Sequence, residues 1–136
     1  WLTVEQQSIP ALAIASSVGI NFKKTRTMNL FEKISWFILN FEDGSFNNLN
    51  NEDWLLIEAE IKELINQTRD RNILEKSLDL DIHYVIPYEV RIYLHKRLIE
   101  IDSSNEKAIR DYAFYLKAFG DPPEELIADE MLKNLG

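Results

Sequence analysis

The sequence contains no cysteine. This removes disulfide stapling, thiolate zinc sites and cysteine nucleophiles together, and it suits the cytoplasm, the compartment expected. Glycine and proline are scarce, four of each, and the glycines are scattered as turns and caps. No glycine-rich phosphate cradle and no Gly-x-Ser-x-Gly elbow is present. A bilayer-spanning run is also missing. The longest apolar stretch, Ile9 to Ile20, is broken by Pro10, Ser16, Ser17 and Gly19, and it falls short of the ~20 residues a span requires. Positive charge is in deficit, with 15 Lys and Arg against 23 Asp and Glu, a net of −8. Nucleic acids and anionic membranes both need a favourable sum over many phosphates, so neither partner is expected.

What is present is ordinary for a globular chain: 46% hydrophobic and 28% charged residues over 136 positions. That length fits one domain and buries a real core, since about 150 residues hide roughly 70% of their unfolded surface. The charge is uneven. Up to Leu30, Lys23, Lys24 and Arg26 face Glu5 alone, a net of +2, which leaves −10 in the remainder. The chain opens at Trp1, and Met28 offers another first residue for the folded part. Residues 1–27 therefore read as an N-terminal arm and 28–136 as the folded domain. The arm's apolar run is expected to cover something, either its own body or a second copy in a homodimer.

Five segments read as capped or periodic helices, with a shorter piece from Arg71 to Leu80. Asn29 with Glu32 forms a capping box ahead of Leu30, Phe31, Ile34, Phe37, Ile38 and Phe41 at helical spacing, and Asp43-Gly44 ends that run. The Asn47 to Asn51 loop supplies caps for a helix from about Glu52 to Thr68, with Trp54, Ile57, Ile61, Leu64 and Ile65 inward and Glu58 and Lys62 paired outward. Pro87 opens Tyr88 to Ile101, with Val90, Tyr93, Leu94, Leu98 and Ile101 as its stripe. Ser103 against Glu106 is read as the next cap, followed by the stripe Ala108, Ile109, Tyr112, Ala113, Leu116 and Phe119, with Gly120 as a left-handed C-terminal cap. Asp121-Pro122-Pro123-Glu124 then starts a last helix expected to bury Leu126, Ile127, Met131 and Leu135. So short a turn predicts an antiparallel hairpin. The expected fold is all-α: antiparallel helical hairpins stacked as a short solenoid or bundle.

An internal echo points the same way. Lys76-Ser77-Leu78-Asp79-Leu80-Asp81 resembles Arg97-Leu98-Ile99-Glu100-Ile101-Asp102, each a helix end finishing in apolar-acidic-apolar-Asp. Ile101-Asp102-Ser103-Ser104-Asn105, then Ala108-Ile109, Tyr112-Ala113, Gly120-Asp121 and Glu124 to Leu132, resembles one tetratricopeptide repeat, and Leu74 to Asp81 resembles the end of a preceding one. The resemblance covers the last half of the chain. It departs from the family in the short offset of the echo, in Ser103 where a proline is usual, and in Ile109 at an aromatic position. It implies a degenerate array that binds a protein or peptide. In such scaffolds the face carrying Lys107, Arg110, Phe114 and Lys117 would line the partner groove, and three cations around one aromatic would suit an acidic peptide or a carboxylate terminus. The plainer reading of that face is a solvated surface on which Glu106 pairs with Arg110.

Catalytic chemistry finds no constellation, and neither a catalytic residue, a metal nor a cofactor is expected. Asp79, Asp81 and His83 alternate but read as a helix end and turn. His95 lacks a well-placed acid, Glu100 being five residues on, and reads as a packing histidine. Glu124 and Glu125 complement a helix dipole. Asn66-Gln67-Thr68 matches a glycosylation acceptor but falls on a predicted helix. The leading expectation is a non-enzymatic protein-interaction module. The alternatives are an acidic inhibitor or immunity-type protein that masks a basic partner, and an enzyme with an unrecognised site.

Overall fold

The computed structural model describes residues 28–136. The N-terminal arm, and the homodimer contact expected of it, lie outside the described residues. Among the described residues the chain forms six α-helices and no strand: α1 (Leu30–Glu42), α2 (Asn51–Gln67), α3 (Arg71–Leu80), α4 (Tyr88–Ile101), α5 (Glu106–Phe119) and α6 (Pro122–Asn134).

Caps decide where these helices begin. The Asn29 side chain accepts the Glu32 N–H and the Glu32 carboxylate accepts the Asn29 N–H, each at 2.9 Å. Asn50 and Asp53 make the same reciprocal pair at α2, and the Glu124 carboxylate accepts the Asp121 N–H at 3.1 Å at α6. Such caps contribute about 1 kcal/mol each.

Three local readings are corrected. The α5 cap is Asn105, whose side chain accepts the Ala108 N–H at 3.1 Å, because Ser103 and Ser104 are used up in a turn. Gly120 is extended, with φ −84 and ψ 167, rather than left-handed. Its requirement for glycine is steric: a Cβ there would lie 2.6 Å from the Leu116 carbonyl oxygen and 2.7 Å from Glu124 Cβ. Lys62 does not pair with Glu58 but reaches Glu89 at 4.0 Å and lies over the Tyr93 ring.

The stripes of α1 (Leu30, Ile34, Phe37), α2 (Ile57, Ile61, Ile65), α3 (Leu74, Leu78) and α4 (Val90, Leu94, Leu98) meet in one core. α1 packs beside α2 and α3, and α4 closes against the same two helices. Phe37, Phe46 and Trp54 fill the α1–α2 end with ring centroids 5.4 to 5.9 Å apart. α5 joins through α4, and α6 packs on α5 over Ala113, Leu116 and Ala128. The Gly120–Glu124 approach at the turn and the Lys117–Asp129 pair farther along it make α5 and α6 antiparallel. The result is an all-α set of helical hairpins, a bundle or short solenoid. No helix among the described residues is long and apolar enough to cross a membrane.

α6 buries less than its sequence predicts. Leu126 is 71% exposed and Ile127 52%, while Ala128 is the buried residue and Met131 and Leu135 are half-buried. Residues two apart on a 3.6-residue turn face opposite ways, so the register that buries Ala128 turns Leu126 outward. Phe119, expected in the core, is likewise nearly half exposed. Leu116→Ala should cost about 2–5 kcal/mol in denaturant unfolding, the usual range for a buried leucine. Phe119→Ala should cost clearly less, and equal losses would return Phe119 to the core.

Candidate functional site

The four residues expected to contact a partner share the outward face of α5, and all are exposed. Each cation already has an acid of its own chain. Lys107 meets Asp111 at 2.7 Å, Arg110 meets Glu106 at 3.7 Å, and Lys117 meets Asp129 at 2.7 Å. Exposed pairs contribute only about 0–1 kcal/mol, but one-for-one matching leaves the face without net positive charge around Phe114. An acidic peptide therefore finds no special field there.

Asp79, Asp81 and His83 do not converge. Asp79 and His83 are exposed, whereas Asp81 is buried. No cluster of three or more His, Asp or Glu among the described residues is placed to hold a metal ion.

Asp81 instead organises the loop between α3 and α4. It caps α3 and its carboxylate accepts the N–H groups of Val85 at 2.7 Å and Ile86 at 3.3 Å. The same carboxylate receives Arg91 Nη1 at 2.7 Å, and Arg91 Nη1 also donates to the Asp81 carbonyl at 3.0 Å. The Arg91 guanidinium, on the first turns of α4, lies 4.8 Å from the Tyr84 ring centre and 5.0 Å from that of Tyr115. Its Nε faces His95 Nε2 at 3.4 Å. His95 stacks on Tyr112 at 5.5 Å, and Tyr88 stacks on Tyr115 at 5.6 Å.

This framework holds Tyr84 at φ +54, the one non-glycine residue with positive φ among those described. A left-handed aromatic residue is strained by about 1–3 kcal/mol and persists only when its surroundings over-determine it. Here they do. The Tyr84 N–H donates to the Asp81 carbonyl at 3.3 Å, the next two N–H groups bind the Asp81 carboxylate, and the ring rests on Arg91. The consequence is an outward ledge. Tyr84 (43% exposed) and Phe119 (48% exposed) lie with ring centroids 4.8 Å apart, and Ile82, two residues before Tyr84 in the chain, is 70% exposed.

The interior of the cluster is electrostatically quiet. Burial, with Arg91 adding to it, pushes the His95 pKa down to about 3, and burial pushes Tyr115 up to about 12. Neither changes protonation near neutrality, so these groups hold shape rather than move protons. Burial, then the Glu124 and Asp121 carboxylates, raise Tyr88. His95 Nδ1 and the Tyr88 hydroxyl are buried without a hydrogen-bond partner.

Two other features belong to the scaffold. Lys33 is buried between α1 and α2, paired with Glu60 and 4.0 Å from the Trp36 ring centre; desolvation lowers its pKa despite Glu60. An open groove of ≈ 510 Å³ runs along Asn29, Phe31, Ile73, Lys76, Asp79 and Leu80, and none of these residues carries a buried polar side-chain atom without a partner.

Ile82, Tyr84, Arg91 and Phe119 were not singled out as site residues by the sequence. The available hint was Ile82-His83-Tyr84-Val85-Ile86, an apolar run without helical period just before Pro87. A second hint lay in the echo itself. The aspartate that ends each half takes an arginine, Asp81 from Arg91 and Asp102 from Arg71 at 3.2 Å. Comparison of the chain with protein-family models, curated proteins and solved structures finds no match.

Proposed function

We propose that this chain is a protein-interaction module, a short TPR-like stack of helical hairpins whose protein or peptide partner docks on the ledge of Ile82, Tyr84 and Phe119. One observation carries the reading: Tyr84 is strained into the left-handed region, with its ring half exposed, by the buried Asp81–Arg91 pair. Glycine or asparagine would adopt that backbone more cheaply, so the strain is accepted for the sake of the ring, which covers Arg91 while the residue stays 43% exposed. An exposed aromatic pair on a rigid base is the kind of anchor that concentrates binding energy. The pairing order of the helices, α1 with α2 and α3, then α2 and α3 with α4, supports stacked hairpins as the scaffold.

The test is capture of a partner from the native host by the wild-type chain and by two variants. Tyr84→Ser with Phe119→Ser should lose the partner while the melting temperature shows a folded protein. Lys107→Glu with Lys117→Glu should keep it. The reverse pattern would move the docking surface to the outward face of α5 and sink the ledge.

A further inference from the structure

We infer that the ledge takes a basic segment of its partner, laying an arginine or lysine side chain across the exposed faces of Tyr84 and Phe119; this rests on the interaction reading above. Three observations on the surface lead there.

The first is the charge around the ledge. Asp121 lies two residues beyond Phe119 and is exposed; Glu125 is exposed and Glu124 half-buried on the same first turn of α6. The nearby cations are already engaged: Arg91 is buried on Asp81, and Lys117 is held by Asp129. The rim is therefore acidic within a chain of net charge −8, which attracts a basic partner from a distance and repels an acidic one.

The second is the chemistry of the rings. Aromatic faces attract cations through their quadrupole, and a planar guanidinium stacks on them while its edge still donates to carboxylates. Arg91 already does this on the inner side, 4.8 and 5.0 Å from the centres of Tyr84 and Tyr115. Asp81 neutralises that inner charge at 2.7 Å, so a cation arriving outside does not meet an unbalanced one.

The third links rim to rings. Asp121 and Glu124 act on the Tyr88 hydroxyl, Tyr88 stacks on Tyr115, and Tyr115 supports both Tyr84 at 5.9 Å and Phe119 at 4.9 Å. Acids and exposed rings thus flank one aromatic stack, Tyr88 on the buried Tyr115.

The probe is a synthetic Gly-Ser peptide carrying three arginines, titrated into the full chain by amide NMR, beside matched peptides carrying three glutamates or three leucines. The arginine peptide should shift the signals of Ile82, His83, Tyr84 and Phe119. Tyr84→Ala with Phe119→Ala should weaken it about ten-fold, the size expected from two ring contacts. Asp121→Asn with Glu124→Gln keeps capping groups in place, so a folded protein should bind a few-fold more weakly and with a flatter salt dependence.

If the leucine or glutamate peptide moves the same signals as strongly, the interaction reading stands and the basic partner falls. If none of the three peptides moves them, both fall. Arginine-peptide shifts confined to the acids of α2 would mean diffuse charge masking and overturn the inference. So would movement of the ledge signals when Lys23, Lys24 and Arg26 are changed to glutamate without peptide, because the occupant would then be the chain's own basic segment.

Discussion

Asp81→Ala should destabilise the fold by about 3–5 kcal/mol, the cost of leaving the other member of a buried ion pair without its partner. The Asp81 side chain is fully buried, and its removal strands the Arg91 guanidinium together with the Val85 and Ile86 N–H groups. Asp81→Asn keeps an acceptor for the amides but not the charge and should cost less, about 1.5–3 kcal/mol, as for a hydrogen bond to a charged group. Urea titration with a common slope for all variants measures both. Pairing Asp81→Ala with Arg91→Leu should recover part of the loss, because no buried charge then remains. A cost below ~1 kcal/mol for Asp81→Ala would mean that the pair does not hold the loop, and Tyr84 would lose its account as a residue strained by its surroundings.

His95 should produce the steepest acid limb of the stability curve. Its folded-state pKa is lowered from 6.5 to about 3, by burial first and by Arg91 second. Arg91 faces it from its own helix, and Tyr112 and Tyr115 face it from α5. Between these two values the unfolded chain binds a proton that the fold refuses. The stabilisation is therefore complete above about pH 6.5 and is lost as pH falls toward 3. At 1.36 kcal/mol per pKa unit the full loss is on the order of 5 kcal/mol. His95→Phe keeps an aromatic ring against Tyr112 and removes the titration. Its unfolding free energy should fall less steeply than that of the wild type between pH 6.5 and 4, whatever its absolute value. Parallel curves for the two proteins would show that His95 is not held neutral by burial.

The helices were legible because their causes are local. Asn29 with Glu32 and Asp121 with Glu124 sit three residues apart, and the stripes of α1, α2 and α4 repeat at helical spacing. Errors arose where two local cues competed. Ser103 and Asn105 are both capping residues, and the turn geometry chose Asn105. Gly120 suits either a left-handed cap or a close approach, and the packing of Glu124 decided for the second. The outward face of α5 was also legible, since Lys107, Arg110, Phe114 and Lys117 do emerge together; the Lys117–Asp129 pair was not, because it joins two helices.

The sequence by itself determined that the chain is helical, where most helices start and stop, and which residues form the main core, because capping, turn chemistry and period act over a few residues. Tertiary structure decided everything about the ledge. Asp81 could have been a solvated helix end like the exposed Asp79, and Arg91 one more helix cation. They are ten residues apart, and only the closure of α4 against α3 buries them together, where desolvation makes each depend on the other. That same closure carries Tyr84 into its left-handed conformation and brings it to Phe119, thirty-five residues away in sequence. No local pattern encodes such a juxtaposition, because its energy resides in contacts between elements rather than within them.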